Sequence, residues 1–171
     1  GSFNRLRRQY VDNAPMPVNV ALGLSSQTDC RGGITRYTDL EAEVNREKIK
    51  AVFESNPDCL VGIKVLIGHN DSPGHDLTLA VMKKARETCD YVGCRMFVHV
   101  ANPDAKLPEF IDYFKAGDVF EHTYNKGNIL DDNGKVYAEA WEAKKRGVLF
   151  SSSRGSRNWS SEVASTTFAQ G

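Results

Sequence analysis

The sequence lacks several features that would place the protein in a specialised class. Lys+Arg and Asp+Glu both total 22 of 171 residues, so the formal net charge is zero. We therefore expect neither nucleic acid nor a membrane surface as a partner, because both favour a basic excess. No apolar run approaches the roughly 20 residues of a transmembrane helix, and no signal-peptide pattern opens the chain. A hydrophobic content of 40% is typical of a soluble globular protein.

Cysteine is scarce, and its spacing excludes the common cysteine sites. Cys30, Cys59, Cys89 and Cys94 form no Cys-x-x-Cys pair. The gap between Cys89 and Cys94 is wrong for a zinc knuckle and has no matching second half. We interpret all four residues as reduced thiols, which predicts a cytoplasmic protein.

Apolar, strand-like segments alternate with helical segments along the chain. Strands are predicted over 18–24, 60–67, 95–100, 119–123 and 148–151, and helices over 3–12, 41–55, 76–89, 107–115, 137–146 and 160–169. A polar loop is expected over 25–39, and Asp131-Asp132-Asn133-Gly134 predicts a turn. The alternation favours an α/β fold with a parallel sheet, either open and doubly wound or part of a (β/α)₈ barrel.

The glycine pattern favours the barrel. An open sheet normally has a phosphate-binding, glycine-rich turn after its first strand. Neither residues 22–26 nor residues 68–74 match such a fingerprint. A complete barrel needs about 250 residues, so the chain supplies roughly five of the eight units. We treat residues 3–171 as one partial barrel domain and Gly1-Ser2 as a tag scar.

Three polar residues occupy positions that suit a ligand site. Lys64 interrupts the most apolar strand, and His99 and His122 each follow an apolar run. Ligands bind at the carboxyl ends of parallel strands, and imidazole is the commonest metal ligand in proteins. Buried lysine is costly unless it is paired or modified, and as a neutral amine it can form a Schiff base or a carbamate. The alternative interpretation of Lys64 is a lysine whose charged tip reaches solvent at the end of the strand. The alternative for His99 and His122 is a pair of core histidines with satisfied hydrogen bonds.

Other polar residues are weaker candidates. The segment 150–157 contains small polar residues and two arginines before a predicted helix, so it suits either an anion or a solvated loop. His75 is expected to be structural or solvent-facing. His69 could reach the mouth of a pocket.

Several stretches together resemble the dihydroorotase-like amidohydrolases and deacetylases of the amidohydrolase superfamily. They are Asn56-Pro57-Asp58-Cys59-Leu60-Val61-Gly62-Ile63-Lys64-Val65, Phe97-Val98-His99-Val100-Ala101-Asn102-Pro103, Gly117-Asp118-Val119-Phe120-Glu121-His122-Thr123-Tyr124-Asn125, 129–136 and 146–150. The resemblance runs over most of the chain and corresponds to the third to seventh barrel strands.

The resemblance implies a metal centre and a hydrolytic reaction. It makes Lys64 a carbamylated lysine that bridges two divalent metals, and His99 and His122 metal ligands of the next two strands. It also implies one or two divalent ions, zinc above all, whose activated hydroxide attacks an amide or ester carbonyl. Asn102, Asn125 and Arg154 are the predicted substrate-binding residues.

Parts of the family pattern are missing. The His-x-His pair of the first strand would precede this chain, since nothing before Val18 supplies it, and the general-base aspartate of the eighth strand would follow Gly171. Ser151 and Arg154 replace the aspartate and histidine of the Asp-x-x-His-Gly motif. A serine is not a carboxylate, and an arginine stays cationic. The chain is therefore expected to be a fragment of a longer enzyme, a degenerate relative, or both.

Three functional hypotheses follow. The first is a portion of a metallohydrolase that acts on amide or ester bonds and is weak or inactive alone. The second is a non-catalytic β/α domain that serves assembly or binds an anion near Arg154. The third is a Schiff-base enzyme that uses Lys64. In each case we expect self-association through open sheet edges, because unpaired strands attract other strands.

Overall fold

Five parallel strands form one sheet in sequential order in the computed structural model, which describes residues 2–25, 37–155 and 158–171. The strands are β1 (Val20–Gly23), β2 (Leu60–Gly68), β3 (Arg95–Ala101), β4 (Val119–Glu121) and β5 (Leu149–Phe150). The helices are α1 (Ser2–Tyr10), α2 (Leu40–Glu43), α3 (Arg46–Glu54), α4 (His75–Val92), α5 (Leu107–Phe110), α6 (Ala138–Lys145) and α7 (Ser161–Ala169), and a 3₁₀ turn spans Ile111–Tyr113. A strand order without reversal is that of a barrel, so the predicted incomplete parallel β/α barrel is confirmed and the doubly wound alternative is wrong.

The two faces of the sheet have different surroundings. The fully buried side chains of β2 and β3 on one face are Ile63, Val65, Ile67, Met96, Val98 and Val100. They pack against α4, whose inward side chains are equally buried. The opposite face carries partly exposed residues, among them Lys64, His99 and Glu121. Because side chains alternate along a strand, the polar residues of β2, β3 and β4 are gathered on the less covered face.

The helix predicted over 41–55 is two helices in the structure. Val44 is extended, with ψ of 99°, and separates α2 from α3. Asn45 is the N-cap of α3, and its side chain accepts a hydrogen bond of 2.8 Å from the Lys48 amide. The apolar spacing continues across the break, which is why periodicity alone predicted one helix.

Helix α4 extends beyond its predicted end because its stop signal is a glycine. Gly93 takes the left-handed conformation, with φ of 79°. The amides of Gly93 and Cys94 both donate to the Cys89 carbonyl, at 2.8 and 3.0 Å. The second of these bonds defines a Schellman motif, a common helix ending that reverses the chain.

The remaining boundaries differ by a few residues from the sequence predictions. β4 ends at Glu121 because His122 takes a positive φ of 59°. The helix predicted over 107–115 becomes a single turn followed by a 3₁₀ turn. The predicted turn is confirmed by an antiparallel bridge between Leu130 and Val136. α1 includes Ser2, a residue of the presumed tag scar.

Two further sequence predictions fall partly outside the residues that the structure describes. Cys59, Cys89 and Cys94 are free thiols, whereas Cys30 lies outside the described part of the chain. Most of the loop predicted over 25–39 also lies outside it. Within residues 2–25, 37–155 and 158–171, no helix is long and apolar enough to cross a membrane.

Candidate metal centre

The strand register places the three predicted site residues next to one another. His99 of β3 lies opposite Leu66 of β2 and opposite Glu121 of β4. Lys64 lies two residues before Leu66, and therefore on the same face of β2. His122 follows Glu121 directly. The sheet thus brings Lys64, His99 and His122 together, although they are separated by 35 and 23 positions in the chain.

The two imidazoles are in direct contact. Nε2 of His122 lies 2.9 Å from Nδ1 of His99, and the rings meet edge to face with centroids 4.4 Å apart. The side-chain amide nitrogen of Asn158 lies 3.3 Å from the same Nε2 atom. Nδ1 of His122 is buried without a well-formed hydrogen bond. This nitrogen faces the Ser153 backbone, so Nε2 is the His122 atom on the side of His99.

Glu121 is the site residue that the sequence prediction missed. Its carboxylate accepts an ion-pair hydrogen bond from Nζ of Lys64. The Glu121 side chain is 16% exposed and the Lys64 side chain 30%, so the pair is largely shielded from water. Alternation along β4 was the available signal, because Phe120 is apolar and buried and its neighbour must point to the other face.

Electrostatics keep both histidines neutral near pH 7. Burial, together with the nearby His122 and Lys64, lowers the pKa of His99 to about 4 against an opposing effect of Glu121. Burial also lowers the pKa of His122, although Glu121 and the Ser153 backbone act in the opposite direction. A neutral imidazole is the form that binds a metal ion.

The donor set fits a divalent cation. Ligand atoms of His99, Glu121 and His122 all lie within 4.8 Å of one another. Two neutral imidazoles and one carboxylate are a set that zinc accepts, and three protein ligands leave a coordination position open for water or substrate. The predicted carbamate of Lys64 would place a second anionic group beside the same histidines.

A buried asparagine holds His122 in its unusual backbone conformation. Asn128 is 1% exposed, and its side-chain nitrogen donates to the Val100 carbonyl at 2.7 Å and to the His122 carbonyl at 2.9 Å. These two bonds tie the end of β3 to the residue after β4. Asn128 therefore positions His122, a role that its place in a polar loop did not reveal.

The predicted substrate-binding asparagines lie in the same loops but bind each other. The side-chain nitrogen of Asn125 donates to the side-chain oxygen of Asn102 at 3.3 Å. Asn125 is buried, and its own side-chain oxygen accepts from the Lys126 amide. Both side chains are thus engaged in joining the loops that follow β3 and β4.

The segment after β5 carries the residues that depart from the family pattern. The hydroxyl of Ser151 lies 2.9 Å from that of Ser153. Arg154 is exposed and stacks over the Trp159 ring at 5.3 Å from the ring centroid. Arg157, the second arginine of this segment, lies outside the described residues. His69 and His75 are likewise outside the cluster, and they pair with Asp104 and Glu109.

The comparison with known proteins supports this architecture. A deacetylase of Enterococcus faecalis is 27% identical over 138 residues, which cover 76% of this chain and 36% of the deacetylase. A dihydroorotase crystal structure covers the whole chain with a TM-score of 0.86 and 22% identity, and 46% of the dihydroorotase is matched. An adenine deaminase structure covers 99% of the chain with a TM-score of 0.79 and 22% identity, over 45% of its own length. No protein-family model matches.

These similarities confirm the resemblance to dihydroorotases and deacetylases that the sequence motifs indicated. The structural neighbours establish the fold as a portion of a parallel β/α barrel. The chain spans less than half the length of each of these three proteins.

Proposed function

We propose that the chain forms part of the metal centre of a hydrolase that cleaves amide or ester bonds. The observation that carries this proposal is the convergence of His99, Glu121 and His122, whose ligand atoms lie within 4.8 Å of one another at the carboxyl ends of adjacent strands. That end of the sheet is where barrel enzymes place their active sites. A bound divalent ion, zinc above all, would supply Lewis-acid polarisation of a carbonyl and a water of lowered pKa.

We propose separate roles in such a site for individual residues of the chain. His99 and His122 would hold the cation through neutral imidazole nitrogens. Asn128 would fix the backbone of His122. Asn102 and Asn125, at the mouth of the same loops, are proposed to line the substrate pocket, with Arg154 farther along the rim.

Two groups are candidates for the anionic ligand. The resemblance implies a carbamate on Lys64, which requires the free amine. The ion pair between Lys64 and Glu121 favours Glu121 instead, because an ammonium held by a carboxylate does not react with carbon dioxide. We therefore propose Glu121 as the ligand of a single metal and the carbamate with two metals as the alternative.

Metal titration with single variants tests the site. Purified protein incubated with zinc should retain about one ion, and His99→Gln or His122→Gln should weaken binding by roughly 10-fold or more. His69→Gln is the matched control, because His69 is an exposed histidine at the same edge of the sheet. Zinc retention by the His99→Gln and His122→Gln variants equal to that of the His69→Gln variant would contradict the proposal.

The anionic ligand is identified by a second pair of variants and by mass. Glu121→Gln should weaken zinc binding, Lys64→Arg should leave it largely intact, and native mass spectrometry should find Lys64 unmodified. A carbon dioxide adduct that disappears in Lys64→Arg together with the metal would instead establish the carbamate.

Ser151 and Arg154 favour a second candidate, a domain that has lost catalysis. Neither residue supplies the carboxylate or the neutral base that the family motif contains. Zinc binding without turnover of ester or amide substrates would support this candidate. Zinc-dependent turnover that is lost in His122→Gln would eliminate it.

A further inference from the structure

A pair of cysteines lies at the opposite end of the sheet from the metal cluster. Cys89 belongs to the last turn of α4 and Cys94 directly precedes β3. Both line a cavity of about 930 Å³ at the amino-terminal ends of β2, β3 and β4. The proposed metal site uses neither residue.

The ending of α4 forces these two side chains together. In a Schellman motif, the amide of the second residue after the helix cap bonds to the carbonyl of the residue five positions earlier, and the side chains of these two residues commonly touch. Here they are Cys94 and Cys89, joined by the backbone bond of 3.0 Å. The two thiols are close enough to influence each other's ionisation through a side-chain hydrogen bond, and Sγ of Cys89 also lies 4.0 Å from the Arg95 carbonyl. The sequence Cys89-Asp-Tyr-Val-Gly-Cys94 therefore encodes a thiol pair through the backbone geometry.

The two thiols differ in access and in electrostatic surroundings. Cys89 has no exposed surface, whereas Cys94 is partly exposed. The hydrogen bond from Cys89 lowers the pKa of Cys94, as does the positive charge of Arg86, against the opposing effects of burial and Asp118. The hydrogen bond to Cys94 and burial raise the pKa of Cys89. Cys94 is thus the thiol of the pair that more readily forms a thiolate, the reactive form of cysteine.

Arg86 holds a fixed positive charge beside the pair. Its guanidinium donates to the buried Asp118 at 2.6 Å and pairs with Asp90 at 2.9 Å. Its Nε atom is buried and has no hydrogen-bond partner. The two ion pairs therefore anchor the charge of the arginine beside the cavity that the cysteines line.

We propose that Cys94 and Cys89 form a peroxide-sensitive site in which Cys94 is oxidised first and Cys89 completes a reversible disulfide. The sulfur of Cys94 attacks a hydroperoxide, so that an S–O bond forms, the O–O bond breaks and the alcohol or water leaves with the displaced oxygen and a proton. The sulfur of Cys89 then attacks the sulfenic sulfur of Cys94, so that the S–S bond forms and water leaves. The two thiols lose two electrons and the peroxide gains them. An added dithiol reverses the reaction.

The disulfide would join the end of α4 to the start of β3. Neither residue touches the metal cluster, so the proposal does not depend on the proposed hydrolase function. It agrees with the free thiols of the reduced protein, because the bond forms only when an oxidant is supplied.

Peptide mapping tests the proposal directly. Trypsin cleaves after Arg86 and Arg95, so residues 87–95 form one peptide that contains Cys89 and Cys94 and no other cysteine. After brief treatment of the folded chain with hydrogen peroxide and alkylation, this peptide should lack two hydrogens and carry no alkyl group. Cys59, which is buried elsewhere, is the internal control and should be oxidised about 10-fold more slowly. A 87–95 peptide that keeps two alkylated thiols, or reacts no faster than Cys59, would overturn the proposal.

Two single variants assign the roles. Cys89→Ala should stop the reaction at a sulfenic acid on Cys94, which dimedone traps. Cys94→Ala should leave Cys89 unlabelled because it is buried. Dimedone labelling of Cys89 in Cys94→Ala, or none of Cys94 in Cys89→Ala, would contradict the assignment, and the mapping of the unmodified chain stands even if a variant fails to fold.

Discussion

At the scale of single residues, the candidate site depends on side chains that have two tasks. His99 and His122 are buried enough to lose their proton near neutral pH, yet they meet at 2.9 Å, and Nδ1 of His122 is buried without a well-formed hydrogen bond. Burying a polar atom without a hydrogen bond costs free energy. Such a cost is expected where side chains are arranged to bind a ligand rather than to stabilise the fold.

Asn128 provides a test of how His122 is positioned. Asn128→Asp preserves the shape of the side chain but replaces two donated hydrogen bonds with a carboxylate facing two carbonyl oxygens. We expect the free energy of unfolding to fall by about 2–4 kcal/mol, and zinc binding to weaken as His122 is released. Urea unfolding and zinc titration measure the two effects.

Asn70→Asp is the matched control for this variant. Asn70 is exposed, so its substitution should change the stability by less than about 0.5 kcal/mol. Equal stability of the Asn128→Asp and Asn70→Asp variants would show that the buried hydrogen bonds of Asn128 do not position the loop.

At the scale of elements, the ends of strands and helices determine which side chains meet. β4 stops at Glu121 and turns through the positive φ of His122, which directs consecutive polar residues into one cluster. α4 stops at Gly93 and thereby brings two cysteines into contact. In both places, the functional arrangement is produced by the residue that terminates the element.

The entry to α2 makes a pH-dependent contribution to stability. Burial opposes ionisation of Glu43, but hydrogen bonds from Thr38, Asp39 and Ser25 outweigh it and lower the pKa of the carboxyl group. Because the folded pKa lies below the unfolded value of about 4.3, the contribution is complete above that pH and is lost as the pH falls through the folded pKa.

Glu43→Gln should therefore be less stable than the parent chain at pH 7, and the difference should shrink as the pH falls below about 4. Thermal or urea unfolding at a series of pH values measures it. Glu54→Gln, at an exposed position of α3, should remain parallel to the parent across the series. A Glu43→Gln deficit that stays constant with pH would rule out the charged hydrogen-bond network as its source.

At the scale of the whole molecule, β1 and β5 are the edge strands of the sheet formed by the described residues. β1 pairs only with β2, and β5 only with β4. Beside β5, a groove of about 400 Å³ is lined by apolar side chains, and Leu149 and Phe168 are 50% and 69% exposed. An unpaired strand beside an apolar groove favours association with another chain.

We therefore predict concentration-dependent self-association that involves β5. Sedimentation should show dimers or larger species at high concentration, and Leu149→Lys should shift the equilibrium toward the monomer, because a charge on an edge strand opposes pairing. Met16→Lys replaces a more exposed hydrophobic residue, 68% exposed and outside this groove, and should have no effect. A parent chain that remains monomeric at high concentration would contradict the prediction.

The sequence by itself determined the strand and helix alternation, the parallel sheet and the three residues Lys64, His99 and His122. Each of these is visible locally, because apolar runs, helical periodicity and polar residues at strand ends are written in consecutive positions. The resemblance to amidohydrolases assigned these residues to successive strands of the barrel. The sequence could not reveal the break between α2 and α3 at Val44, because the apolar spacing continues through the break.

The tertiary structure alone decided which groups share the site. Glu121 joins the cluster because the register sets it opposite His99 and beside Lys64, and Asn128 because a loop folds back under His122. The contact of Cys89 with Cys94 likewise depends on the left-handed turn at Gly93. Such contacts are fixed by strand register and chain reversal, which depend on the packing of distant segments and leave no periodic signal in the sequence.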